Sequence, residues 1–147
     1  MAGDGLKLDF IDFLAHLDRK EAAVLKAEHD ALEDATDDLL RISSNIAPID
    51  TGQLRRSGRK EITMRGAGHE LVGHVYFSAT EESGKYGRFN YALWTHEMDY
   101  NLGPVSRQAP GVDGYEVGNK YLERPLRGES RKYLRWVAEE IGKVMDD

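Results

Sequence analysis

Five histidines are the side chains here best equipped for chemistry, and their spacing argues against most of it. His96-Glu97 with Asp99 sets an imidazole beside two carboxylates, a mixture of nitrogen and oxygen that a divalent ion accepts. No two histidines stand four apart, the spacing at which a helix offers two ligands on one face. His69 and His74 are separated by an odd number of residues, so a strand points them to opposite faces. Ser43, Ser44, Ser57 and Ser106 lie in no Gly-x-Ser-x-Gly elbow, and a chain without cysteine has no thiolate nucleophile, thiolate metal ligand or disulfide. Gly66-Ala67-Gly68 precedes an expected strand rather than a helix, so it makes no phosphate cradle. The expectation is a protein with no metal, no cofactor and no catalytic residues.

The stretch from Ala47 to Ser57 organises the chain around itself. Pro48 stops whatever helix precedes it, because proline has no amide donor and disfavours helix at the residue before. Asp50 is expected to cap the next helix, with Gln53 at capping-box spacing, Gly52 at the tight position and Gly58 as a stop. The resulting short helix should carry Arg55, Arg56 and Arg59 into solvent. With Lys60 and Arg65 these bases could meet the phosphates of a nucleic acid, although no aromatic residues are interleaved with them; an acidic partner surface accounts for them equally well.

Around this stretch the pattern is α+β. From Leu6 to Ile46, apolar residues such as Phe10, Phe13, Leu14, Leu17, Val24, Leu32, Leu39 and Ile42 recur near helical spacing, predicting a long N-terminal amphipathic helix. At about 1.5 Å per residue, Leu8 to Ile42 would reach roughly 50 Å, so the helix projects, packs on a neighbour or breaks near Asp18-Arg19-Lys20. Asp30, Glu33, Asp34, Asp37 and Asp38 read as its solvated face. Glu61–Met64 and Glu70–Phe77 read as a small antiparallel sheet joined by a hairpin. Ala79–Asn90 reads as a flexible loop, Tyr91–Met98 as either strand or short helix, and Asn101–Gly118 as a second long loop. A final helix, capped by Asn119 and running to about Met145, is expected to pack on the sheet. Its core face is Leu126, Tyr133, Leu134, Val137, Ile141 and Val144, and Arg124, Arg131 and Arg135 lie opposite. Trp136, at the border of that face, is the candidate interface anchor, while Tyr91, Trp94 and Tyr100 are assigned to the core.

At 147 residues one domain is expected, with residues 1–46 as a helical arm and 47–147 as an α+β body. No apolar run is long enough to span a membrane, the N-terminus lacks the pattern of a secretory signal, and the absence of cysteine fits a reducing cytoplasm. The net charge of −6 is unevenly spread: residues 1–50 hold 12 acids and 5 bases (−7), leaving 14 acids and 15 bases (+1) for the rest. Such polarity can draw copies of one chain together front to back.

Two resemblances follow from these residues. Asp50-Thr51-Gly52 resembles the catalytic tripeptide of retroviral-type aspartic proteases, which implies two chains pairing their aspartates to activate water. The broader resemblance rests on three blocks in order. They are Pro48-x-Asp50-Thr51-Gly52-x-Leu54-Arg55-Arg56-Ser57, then Tyr91-Ala92-Leu93-Trp94-Thr95-His96-Glu97, then Lys120-Tyr121-Leu122-Glu123-Arg124-Pro125-Leu126 before a last helix. From Ala47 onward the chain resembles the neck and minor capsid proteins of tailed bacteriophages, departing at Met98-Asp99-Tyr100, where that family tends to carry glycine. The resemblance implies a structural protein of the virion neck, assembled in the host cytoplasm. It would form a homo-oligomeric ring that joins head to tail or completes the tail end, beside connector, stopper and tail-terminator proteins and close to the DNA. Pro48, Asp50, Thr51, Gly52, Leu54, Tyr91, His96 and Glu97 are then motif residues, and Arg55, Arg56, Arg59, Arg124, Arg131, Arg135 and Trp136 the contact residues. A nucleic-acid-binding module is the remaining alternative.

Overall fold

A computed structural model describes residues 6–9, 22–49, 51–66, 70–83 and 87–146. The long helix α1 spans Ala22–Ile46, and Leu32, Ala35, Leu39, Ile42 and Ile46 form a fully buried stripe along it. Pro48 stands two residues past its end, as its missing donor requires. No described part of this helix projects, because α1 is the centre of the core, packed against the sheet on one side and against the last helix on the other.

The sheet holds β1 (Leu6–Asp9), β2 (Arg59–Arg65) and β3 (Glu70–Phe77) in the order β1-β3-β2, all antiparallel. β3 is central and almost wholly buried, while β2 is an edge with Lys60 opposite Val75 and Ile62 opposite Gly73. Helix at Leu6–Asp9 is thereby corrected. Leu6-Lys7-Leu8-Asp9 alternates with period two, and the backbone pairs with β3 instead of starting the helix. Phe10, Phe13, Leu14 and Leu17 lie outside the described residues, as does the hairpin tip at 67–69.

Ala79–Asn90 is not a plain loop. Thr80–Ser83 (β4) and Gly87–Asn90 (β5) pair antiparallel, and such a hairpin is held by backbone bonds that a polar sequence does not advertise. Tyr91–Glu97 is a short helix, α3. Within Asn101–Gly118, Pro104–Gln108 forms helix α4, and Asp113-Gly114 makes a tight turn with both residues at positive φ, closing a Val112–Tyr115 bridge. Helix α5 spans Glu123–Asp146 with Pro125 in its first turn. Asn119 is not its cap: the Asn119 amide donates to the Met98 carbonyl and to Asp99 Oδ1. The α+β class holds, with α5 lying on α1 and Phe77 of the sheet meeting Tyr121 edge-on at 5.2 Å. Leu134, assigned to the core face of α5, is instead exposed.

One carboxylate ties α5 to α1. Asp38, read as solvated, accepts from Lys132 Nζ (2.9 Å), Tyr133 OH (2.8 Å) and Arg41 Nη2 (2.8 Å). Burial on its own would raise the Asp38 pKa, but these bonds outweigh it and hold the carboxyl below its ordinary value. Glycine matters where Gly128 lets the Tyr115 ring lie against α5. A Cβ there would collide with Tyr115 OH, which donates to Glu129 Oε2 at 2.7 Å.

Candidate functional site

The three sequence blocks, far apart along the chain, are joined at one end of α5. Lys120 N–H donates to the His96 carbonyl (2.8 Å), Gly118 N–H to the Ile46 carbonyl (3.0 Å) and Tyr121 OH to the Ala92 carbonyl (2.8 Å). Ser106, on α4, exchanges two bonds with Ile49: its hydroxyl accepts from Ile49 N–H (2.7 Å) and donates to the Ile49 carbonyl (3.1 Å). The Pro48 turn, α3, α4 and the start of α5 thus form one joint.

His96 is its hub, 2% exposed. Its Nε2 lies 3.3 Å from the backbone nitrogen of Glu123, the first residue of α5. An amide can only donate, so Nε2 is the acceptor and Nδ1 carries the proton, given to Glu97 Oε2 at 2.5 Å. A neutral histidine therefore caps the last helix. Burial lowers the His96 pKa, only partly opposed by Glu97. Glu97 is held below the ordinary carboxylate value by Lys120 Nζ at 2.9 Å and by His96. With Tyr121 packed edge-on against the imidazole at 5.0 Å, His96 acts as a structural latch. Among the described residues no cluster of three or more histidine, aspartate and glutamate side chains is placed to hold a metal.

The other motif residues also build structure. Asp50 lies outside the described residues. The capping box is corrected, because the short helix α2 (Gln53–Arg56) is capped by Gly52 at φ 84 and Gln53 is its first residue, not its third. Thr51 Oγ1 accepts from Gln53 N–H at 3.3 Å, and Leu54 is the buried anchor. Arg55 does not enter solvent. Its Nε donates to the Ala47 carbonyl (2.7 Å), clamping the turn, and its buried Nη2 has no hydrogen-bond partner among the described residues. Arg124 is corrected likewise: half-buried, it donates to the carbonyls of Asn119 (3.0 Å) and Glu116 (2.8 Å). Burial lowers the pKa of both arginines. Arg56, Arg59, Arg131 and Arg135 remain exposed.

Two surfaces stand out. Trp94 is 40% exposed rather than core, stacked on Tyr100 at 5.2 Å, because α3 is too short and too near the surface to bury both sides. Leu93, Trp94, Met98 and Val105 account for four of the seven large hydrophobic residues exposed among those described. Next to them a groove of about 230 Å³ runs between Pro48, Tyr91, Trp94 and Leu102. Thr95, only 1% exposed, lines it with a hydroxyl that has no hydrogen-bond partner among the described residues. The second surface is a groove of about 410 Å³ between α1 and α5, where Asp34, Asp37, Glu139 and Glu140 surround the half-buried Trp136. Lys132 Nζ lies 5.0 Å over the Trp136 ring. Sequence reasoning missed Ser106, which carries no motif, and missed the exposure of Leu93, Met98 and Val105, which apolar character disguises as core. No helix of the described residues is long and apolar enough to cross a membrane. No known protein family, curated protein or solved structure matches this chain.

Proposed function

We propose that this chain is a structural subunit of a tailed-bacteriophage virion, self-associating front to back into a ring in the neck that joins head to tail or completes the tail end. The observation that carries the proposal is the joint itself. All three blocks behind the resemblance meet there, hydrogen-bonded through Ile49, His96, Lys120 and Tyr121, and Leu93, Trp94, Met98 and Val105 stand exposed beside them. Large apolar side chains left exposed among polar ones mark a protein contact surface. The acidic α1–α5 groove and the exposed Arg56 and Arg59 add complementary charges for like subunits. Partners in this reading are further copies of the chain and the neighbouring connector, stopper and tail-terminator proteins, with DNA passing nearby and not bound specifically.

The setting of Thr51 and Gly52 favours this reading over the protease. They form a turn between two helices, and Arg56 Nη1 reaches the Thr51 carbonyl at 3.4 Å, bringing a cation to a place that a catalytic carboxylate pair keeps dry. Cryo-electron microscopy of virions containing the chain tests the proposal. Density for several contacting copies at the head–tail junction is expected; an isolated copy touching none of its own kind overturns it.

A further inference from the structure

We infer that the front-to-back contact pairs the α3–α4 patch of one copy with an apolar stripe on the C-terminal half of α5 of the next. The inference rests on the self-association reading above. Leu134, Ala138, Ile141 and Met145 follow one another at spacings of four, three and four, which places them within about 60° of arc on the helix. Leu134 is 43% and Met145 54% exposed, Ala138 is exposed and Ile141 half-exposed. A stripe at this spacing is the seam by which helices pack on other elements. On α5 it lies about 90° round the helix from Tyr133 and Val137, the buried residues on the side of α1.

Position and charge point to a second copy as the occupant. The α3–α4 patch sits at the start of α5, tied there by His96 and Lys120, while Met145 lies 22 residues farther on, about 33 Å away at 1.5 Å per residue. Two dissimilar patches at opposite ends of one helix suit a heterologous contact, which repeats head to tail and closes a ring or extends a filament. A two-fold contact would need one self-complementary patch. The rims also match. Arg131 and Arg135 flank Leu134, Arg135 lying 3.8 Å from Glu139 of its own helix, and the exposed Glu97, bonded to Lys120, and Asp99 flank Met98. The helix is itself divided, with five bases and two acids in residues 123–135 and one base and three acids in 136–146.

Complementation between broken halves tests this. One variant carries Met98→Glu with Val105→Glu, the other Leu134→Glu with Met145→Glu, all at exposed positions. Wild-type protein is expected to assemble in sedimentation velocity, and each double variant to associate about 100-fold more weakly, because the contact would bury unpaired carboxylates. Mixed in equal amounts, the two variants retain one intact patch of each kind. They should form a heterodimer of about 33 kDa, twice 16.6 kDa, that neither forms alone. If wild type assembles but the mixture stays monomeric, or if either variant assembles normally, the contact lies elsewhere and the inference fails while self-association stands. A wild type that is monomeric throughout overturns both. Should a glutamate variant lose its helical circular dichroism, alanine at the same pairs asks the same question with about 10-fold steps.

Discussion

Replacing His96 by Phe removes the latch and puts a somewhat larger apolar ring in its place. Two bonds are lost. The Nδ1–H bond to Glu97 costs little, since that carboxylate is 44% exposed and keeps Lys120. The loss at Nε2 is larger: Glu123 N–H, at the first turn of a 24-residue helix, faces an apolar ring in place of an acceptor. An orphaned donor costs about 1–3 kcal/mol, and about 2 kcal/mol corresponds to a melting-temperature drop of roughly 4–8 °C at this chain length. Differential scanning calorimetry measures it. Acidity provides a second readout. Because burial lowers the folded-state pKa of His96, the folded form prefers the neutral ring. Its contribution is complete above the unfolded value near 6.5 and is lost as pH falls from there through the lower folded value. Wild type should therefore lose stability as pH falls below about 6.5, and His96→Phe should lose less over that range. A variant melting within about 1 °C of wild type, with an unchanged pH profile, refutes the latch.

Asp38→Ala removes the carboxylate shared by Lys132, Tyr133 and Arg41 and should cost about 1.5–3 kcal/mol in urea unfolding; a change under about 0.5 kcal/mol contradicts the tie between α1 and α5. Its lowered carboxyl pKa makes that tie complete above about pH 4 and lost as pH falls through the folded value, so Asp38→Asn should flatten the acid limb of the stability curve. Arg55→Ala should destabilise by about 1–2 kcal/mol through the freed Ala47 carbonyl, whereas Arg56→Ala, on the surface, should stay within about 0.5 kcal/mol; equal effects in thermal melts would deny Arg55 its clamp. Gly58→Ala places a Cβ 2.7 Å from Leu40 Cδ1 and 2.9 Å from Phe77 Cε2, so chemical denaturation should register about 1–3 kcal/mol of overpacking.

Periodicity made the long helices legible, since Leu32, Leu39 and Ile42 on α1 and Tyr133 and Val137 on α5 keep the spacing of a buried stripe. Leu6–Asp9 was misread because four residues of alternation are too few to outweigh a helical pattern running on behind them, and only β3 decides between the two. Leu134 shows the limit of a helical wheel: it falls within 60° of the core centre, but α1 covers only part of that arc. At the candidate site, the positions of Pro48, Leu54 and His96 could be read and their partners could not. Ser106 is joined to Ile49 across 57 residues, and Asp38 to Tyr133 across 95, by hydrogen bonds that leave no trace in local sequence.

The central claim is self-association through dissimilar patches, and native mass spectrometry of the purified wild-type chain tests it most directly. At concentrations from about 1 to 100 µM, the range in which interfaces of ordinary size are occupied, a single closed oligomer at a whole multiple of 16.6 kDa is predicted. Monomer at every concentration would contradict the account.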